Sequence, residues 1–229
     1  AYTITITDTS VDAAALNTLD GKTTVAVNAS NITTLTGAAA DLNTAYAANG
    51  SSITGLGNEA ATLSDTTLAV SVLNTLDGNT SGTVNANTVT TLTGAAAALN
   101  TAYNSSGISG LGDENLSLTS STVEASVLNN LDSNTTGAVF AFPVNTLTGT
   151  AADLNTAYDS SGISGLGDEA VTVDSGTAST AQANSLAAAT TGVVTATISD
   201  GDLATLSGLN ETDNAYTCLL YTSDAADEE

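Results

Sequence analysis

The stretch "ITITDTSVDAAALNTLDG", residues 4–21, changes its period halfway along. Ile4, Thr5, Ile6 and Thr7 alternate apolar with polar side chains, which is the pattern of a strand with one face buried. A polar segment follows, then an Ala/Leu-rich run of helical composition, then Asp20-Gly21 as a stop. Read this way, the stretch is one strand, a cap and one helix.

The same design returns along the chain. "TLTGAAADLNTAY" at 34–46 reappears as "TLTGAAAALNTAY" at 91–103 and "TLTGTAADLNTAY" at 146–158. A Leu-Asn pair, replaced by Ala183-Asn184 in one copy, recurs near the end of each such stretch, with its Asn at 17, 43, 74, 100, 129, 155, 184 and 210. The spacing runs 26, 31, 26, 29, 26, 29, 26, so eight half-units make four repeats of about 55 residues. Periods of this length mark stacked structural units, each too shallow to bury its apolar face alone.

Aligning the repeats tests the strand reading, because one buried face demands alternation. Ile4, Ala61, Leu116 and Val171 fall together, as do Ile6, Leu63, Leu118 and Val173, with Thr5, Thr62, Ser117 and Thr172 between them. In the second half-unit Val27, Val84, Val139 and Val194 align. Parallel strands joined by helical crossovers are right-handed. The fold expected is therefore α/β: a right-handed β/α solenoid of eight half-units, with one parallel sheet and helices on one face. Its other face is rich in Thr, Ser and Asn. A parallel β-helix with short helical turns is the alternative. Ile6, Val27, Leu63, Val84, Leu118, Val139, Val173 and Val194 are expected in one buried layer.

The far end departs from this pattern. "NAYT" at 214–217 reopens the unit that begins "AYTI", but Cys218 stands where the repeat requires Ile. "CLLYTSDAADE" from Cys218 resembles the translation of a transposon-type sequencing adapter, so residues 1–217 are taken as one repeat array and 218–229 as an artefactual tail. The array is expected to be a fragment open at both ends. The only Cys and four of the 24 acids lie in that tail, and the rest of the chain holds one base, Lys22, and no His. Disulfide frameworks and thiolate metal sites are thereby excluded from 1–217. An acidic surface repels nucleic-acid phosphates, so nucleic acid is not an expected partner. No apolar run approaches the ~18 residues needed to span a membrane.

Few residues remain to carry chemistry. Without His or a native Cys, most devices for activating a nucleophile are missing. The acids recur with the repeat, as in Asp20, Asp77 and Asp132, whereas an active site is built once; these are read as helix-exit groups, and no catalytic residue is assigned. "GLGNE" at 55–59 and "GLGDE" at 110–114 and 165–169 resemble the Gly/Asp turns of calcium-binding nonapeptide repeats. Asp113, Glu114, Asp168 and Glu169 are thus candidate calcium ligands, although calcium takes six to eight oxygens and these loops recur only once per repeat. The alternative is a Gly turn before the next strand. The recurring Asn is read as satisfying loop backbone where one coil passes to the next. "AVFAFPVN" at 138–145 replaces the "TVNANTVT" of the second repeat, putting the chain's only two Phe, Phe140 and Phe142, at outward positions. They are candidate binding residues, since exposed rings stack on sugars or partners.

Together, the "LNTLDG" and "TLTGAAADLNTAY" repeats resemble the Thr/Asn/Ala-rich repeat regions of very large surface or secreted proteins of aquatic bacteria, cyanobacteria among them. The resemblance covers 1–217 and implies an extracellular or cell-surface, adhesin-like spacer, not an enzyme, whose partners are its own neighbouring repeats and, in the alternative, cell-surface glycans held by the Thr/Ser/Asn face. It implies no cofactor.

Overall fold

A computed structural model describes residues 4–210 and 213–218. It is an α/β structure whose strand pairings, among the described residues with a given register, are parallel. Eight helices appear among the described residues: α1 (Ala13–Asp20), α2 (Ala39–Ala48), α3 (Val70–Asn79), α4 (Ala96–Asn104), α5 (Ala125–Asn134), α6 (Ala151–Asp159), α7 (Thr180–Ala189) and α8 (Leu203–Leu206). The recurring Asn is the fifth residue of each of α1 to α7, and Asn210 follows α8, so the helical half of the reading stands. The chain forms two compact units, one of residues 1–117 with 134–138, the other of 118–133 with 139–229.

The strands are shorter and more numerous than one per half-unit. Between α2 and α3 lie three, Ile53–Thr54, Ala60–Leu63 and Thr67–Ala69; between α3 and α4 lie two, Val84–Asn85 and Thr91–Gly94. Three strands also lie between α4 and α5, so these two long half-units carry an extra strand, whereas the interval from α6 to α7 holds two strands and that from α7 to α8 one. In the first unit, Ile4–Thr5, Val27–Asn28 and Ile53–Thr54 form one sheet. Ser10–Asp12, Thr34–Gly37, Ala60–Leu63, Val84–Asn85 and Ile108–Ser109 form a second. In the second unit, Thr122–Glu124, Thr146–Gly149, Ala170–Val173, Val194–Ile198 and Ala215–Cys218 form a sheet, and Val139–Phe140 pairs separately with Ile163–Ser164.

The single sheet expected from the sequence is thus replaced by several. The physical reason is the extra strand in the half-units before α3 and before α5, which shifts the ladder sideways. The column Val11, Leu35, Ala61, Val84, Ile108 accordingly collects non-equivalent positions of successive half-units. The single layer expected for Ile6, Val27, Leu63 and their equivalents is corrected for the same reason. Val27 lies against Ile4 and Ile53, whereas Leu63 is the register partner of Gly37. Ile6 lies just beyond its strand and is half-buried.

Alternation itself holds. Along Ala60–Leu63, Ala61 and Leu63 are buried and Ala60 and Thr62 are half-exposed. The core of the first unit is filled by strand residues such as Val27, Leu35, Ile53 and Leu92 and by helix leucines, Leu16, Leu42, Leu73 with Leu76, and Leu99. Leu128, Leu154 and Leu186 do the same in the second. Each such Leu is worth ~1.5–3 kcal/mol on burial. Neighbouring helices pack in succession, α1 on α2, α2 on α3, α3 on α4, and α6 on α7.

Side chains stitch those helices together. The Asn17 amide donates to the Asp41 carbonyl at 2.9 Å, Asn43 to Val72 at 3.1 Å, Asn74 to Ala98 at 2.9 Å, Asn129 to Asp153 at 2.9 Å and Asn184 to Gly208 at 2.8 Å. Each acceptor lies two residues before the next Asn of the series. At Asn17, Asn43, Asn74 and Asn129 the recurring Asn thus binds helix to helix rather than serving a loop, whereas Asn184 reaches the turn after α8, as expected of a loop-serving amide. Asn155 departs, donating to Ala151 in its own helix. Caps are shared too: α2 has no capping side chain of its own, and the Asp65 carboxylate of the following half-unit accepts from the Ala39 N–H at 2.8 Å.

Candidate functional sites: the buried glutamates and the phenylalanine pair

The "GLGNE" and "GLGDE" loops end on glutamates that point inward. Glu59 and Glu114 have no exposed surface and Glu169 has 1%. An isolated buried carboxylate would be costly, so the question is what receives it. In the second copy the Gly112 N–H donates to both carboxylate oxygens of Glu114, at 2.9 and 3.1 Å, and the Tyr103 hydroxyl donates at 2.7 Å. In the third, Gly167 and Asp168 N–H groups donate to Glu169, as does the Tyr158 hydroxyl in a short bond. In the first, Gly57 and Asn58 N–H groups donate to Glu59 at 2.8 and 3.2 Å. There the Tyr46 hydroxyl lies near Glu59 and Thr80 without completing a bond, and it and Glu59 Oε1 have no hydrogen-bond partner among the described residues.

The following half-unit closes the arrangement. Thr80, Thr135 and Thr190 donate to the backbone carbonyls of Glu59, Glu114 and Glu169 at 2.6, 2.6 and 2.7 Å. Two residues later Gly82, Gly137 and Gly192 pass so close that a Cβ would stand 2.3 Å from those same carbonyl oxygens. Only glycine allows that approach. The loop glycine Gly112, at φ 141°, is likewise in the region that side chains avoid.

These surroundings set the tyrosines. Burial, with the Glu59 charge adding to it, pushes the Tyr46 phenol up to about 12. Burial and then the hydrogen bond to a carboxylate push Tyr103 and Tyr158 up as well.

The structure separates the calcium candidates. Glu114 and Glu169 are buried in their ties, while Asp113 and Asp168 beside them are exposed. Among the described residues no group of three or more His, Cys, Asp and Glu is placed to hold a metal ion. Asp20, Asp77 and Asp132 accept from Ser52, Ser105 and Ser160 of a later half-unit at 2.8, 2.6 and 2.6 Å, which is the structural use read from their recurrence. Sequence reasoning missed the Tyr and Thr-x-Gly partners of the glutamates. Fixed spacing could have revealed both: Tyr stands 11 residues before Glu in the second and third copies, and Thr 21 after it in all three.

Phe140 and Phe142 are brought together. Their rings stack with centroids 6.1 Å apart and planes within 14°. Phe142 is 70% exposed and Phe140 half-buried. The adapter-like tail lies outside the described residues apart from Cys218, which ends the strand pairing with Val194–Ile198. No helix among the described residues is long and apolar enough to cross a membrane. No protein-family model matches this chain, and neither does any curated protein or solved structure.

Proposed function

We propose that the chain is a right-handed β/α solenoid serving as a structural repeat or spacer region of a large extracellular, adhesin-like bacterial surface protein, without catalysis. The observation that carries this reading is the repetition of half-unit-to-half-unit bonds at the spacing of the sequence repeat: the Asn amides between helices and the Tyr–Glu–Thr ties beneath them. Such bonds couple each coil only to its neighbour, so length is set by repeat number. The polar composition and the net charge of −23 suit an extended surface in salty water, where screening mutes self-repulsion beyond ~10 Å.

Recognition through the Thr/Ser/Asn face is the second reading. It draws less support, because the outward column in the first unit mixes Asp12, Thr36, Thr62, Asn85 and Ser109 and forms no uniform row of hydroxyls. Small-angle scattering on chains carrying different numbers of 55-residue repeats tests the spacer role. The maximum dimension should grow by two strand spacings, about 10 Å, per repeat. Growth with the cube root of mass, as for a compact globule, would overturn it.

A further inference from the structure

We infer that the Phe140–Phe142 pair is a stacking platform for the ring of a neutral sugar. In the two earlier repeats the equivalent positions are Asn28 with Ser30 and Asn85 with Asn87, and there the first side chain accepts from the backbone N–H of the second at 3.1 and 3.0 Å. Phenylalanine has no acceptor, so that turn bond is given up, and both positions change together into a pair of stacked rings. The site is therefore built once, in a chain whose other features recur. It also leaves Phe142 with 70% of its surface in water, on a surface otherwise supplied with hydroxyls and amides.

The occupant follows from area and charge. A phenyl ring contributes ~150–250 Å² at most, so two fall far short of the ~1,200–2,000 Å² of a stable protein interface. The platform suits a small flat ligand. Against 24 acids the chain has one base, Lys22, which disfavours anionic ligands at long range. A neutral pyranose meets both limits: the C–H groups of one face carry slight positive charge and lie on the negative face of an aromatic ring, while its hydroxyls remain at the rim. Ser164, the register partner of Phe140 on the adjacent strand, is half-buried; its hydroxyl donates to the Val139 carbonyl at 3.5 Å, which leaves its oxygen as an acceptor. This inference stands apart from the spacer role, and the failure of either leaves the other intact.

The test is a pull-down of the full chain on insoluble cellulose, chitin and mannan, with polygalacturonate gel and polystyrene beads as controls. It is run beside the double variant Phe140→Asn/Phe142→Asn, which restores the residues of the second repeat. Circular dichroism and the thermal midpoint establish that the variant folds. The inference expects retention on at least one neutral polysaccharide, weakened about tenfold or more in the variant. It is overturned if none of the three retains the chain, if the folded variant is retained equally, or if polystyrene or polygalacturonate is preferred.

Discussion

The Tyr–Glu–Thr tie and the outward pair at 28/30, 85/87 and 140/142 occur in the same three repeats and have fared differently. The tie keeps its Tyr, Glu, Thr and Gly each time. The outward pair runs Asn/Ser, Asn/Asn and Phe/Phe. The tie is fixed because its members depend on one another: a buried carboxylate needs its N–H and O–H donors, and the glycine must clear a carbonyl. The outward pair satisfies only itself, so a complete change of chemistry there leaves the fold standing. Constraint in this chain lies between half-units, and room for novelty lies on the surface.

Breaking the tie should give the largest effect. Glu114→Ala removes a charged acceptor from the Gly112 N–H and the Tyr103 hydroxyl; at ~1.5–3 kcal/mol for each bond to a charged group, urea unfolding should register a loss of about 3–6 kcal/mol. Glu59→Ala sharpens the comparison. Its carboxylate receives the Gly57 and Asn58 N–H groups but no bond from Tyr46, and its Oε1 is buried without a partner, a cost the substitution relieves, so its loss should be smaller. Equal losses would mean that the tyrosine adds nothing.

Asn74→Ala removes the amide bond to the Ala98 carbonyl between α3 and α4. About 1–2 kcal/mol should disappear from the same unfolding curve. Asn155→Ala, whose bond stays within its own helix, should cost less.

Alkali probes the tie more gently. The phenols of Tyr46, Tyr103 and Tyr158 are all pushed upward, so the folded form holds its protons more tightly than the unfolded chain. Their stabilisation is complete below pH ~10, the value for an unfolded tyrosine, and drains away as pH rises towards 12. Ultraviolet titration should show these phenols ionising later than free tyrosine, with the thermal midpoint falling over the same interval. A midpoint flat from pH 9 to 12 would contradict the assignment.

How far the sequence could be read follows from the same contrast. Helix positions and the α/β class were legible because the Asn recurs at a fixed place in segments of helical composition, and burial of Leu16, Leu42, Leu73 and Leu99 follows from that periodicity. Strand number was not legible. Thr67–Ala69 and Thr122–Glu124 are three residues each, too short to declare a period, and their pairing depends on a neighbour 24 residues away. The direction of Glu114 was hidden for a related reason. A Gly-Leu-Gly-Asp-Glu turn reads as an exposed acidic loop until the Tyr and Thr-x-Gly that enclose its last residue are brought in from either side.

The central claim is that each half-unit is held chiefly by its neighbours. Urea unfolding of chains carrying two, three and four complete repeats tests it most directly. Nearest-neighbour coupling predicts that the midpoint rises and the transition steepens with each repeat added, because every addition contributes one more set of Asn and Tyr–Glu–Thr bonds. A midpoint and steepness independent of repeat number would show that each repeat stands alone, and would contradict the account.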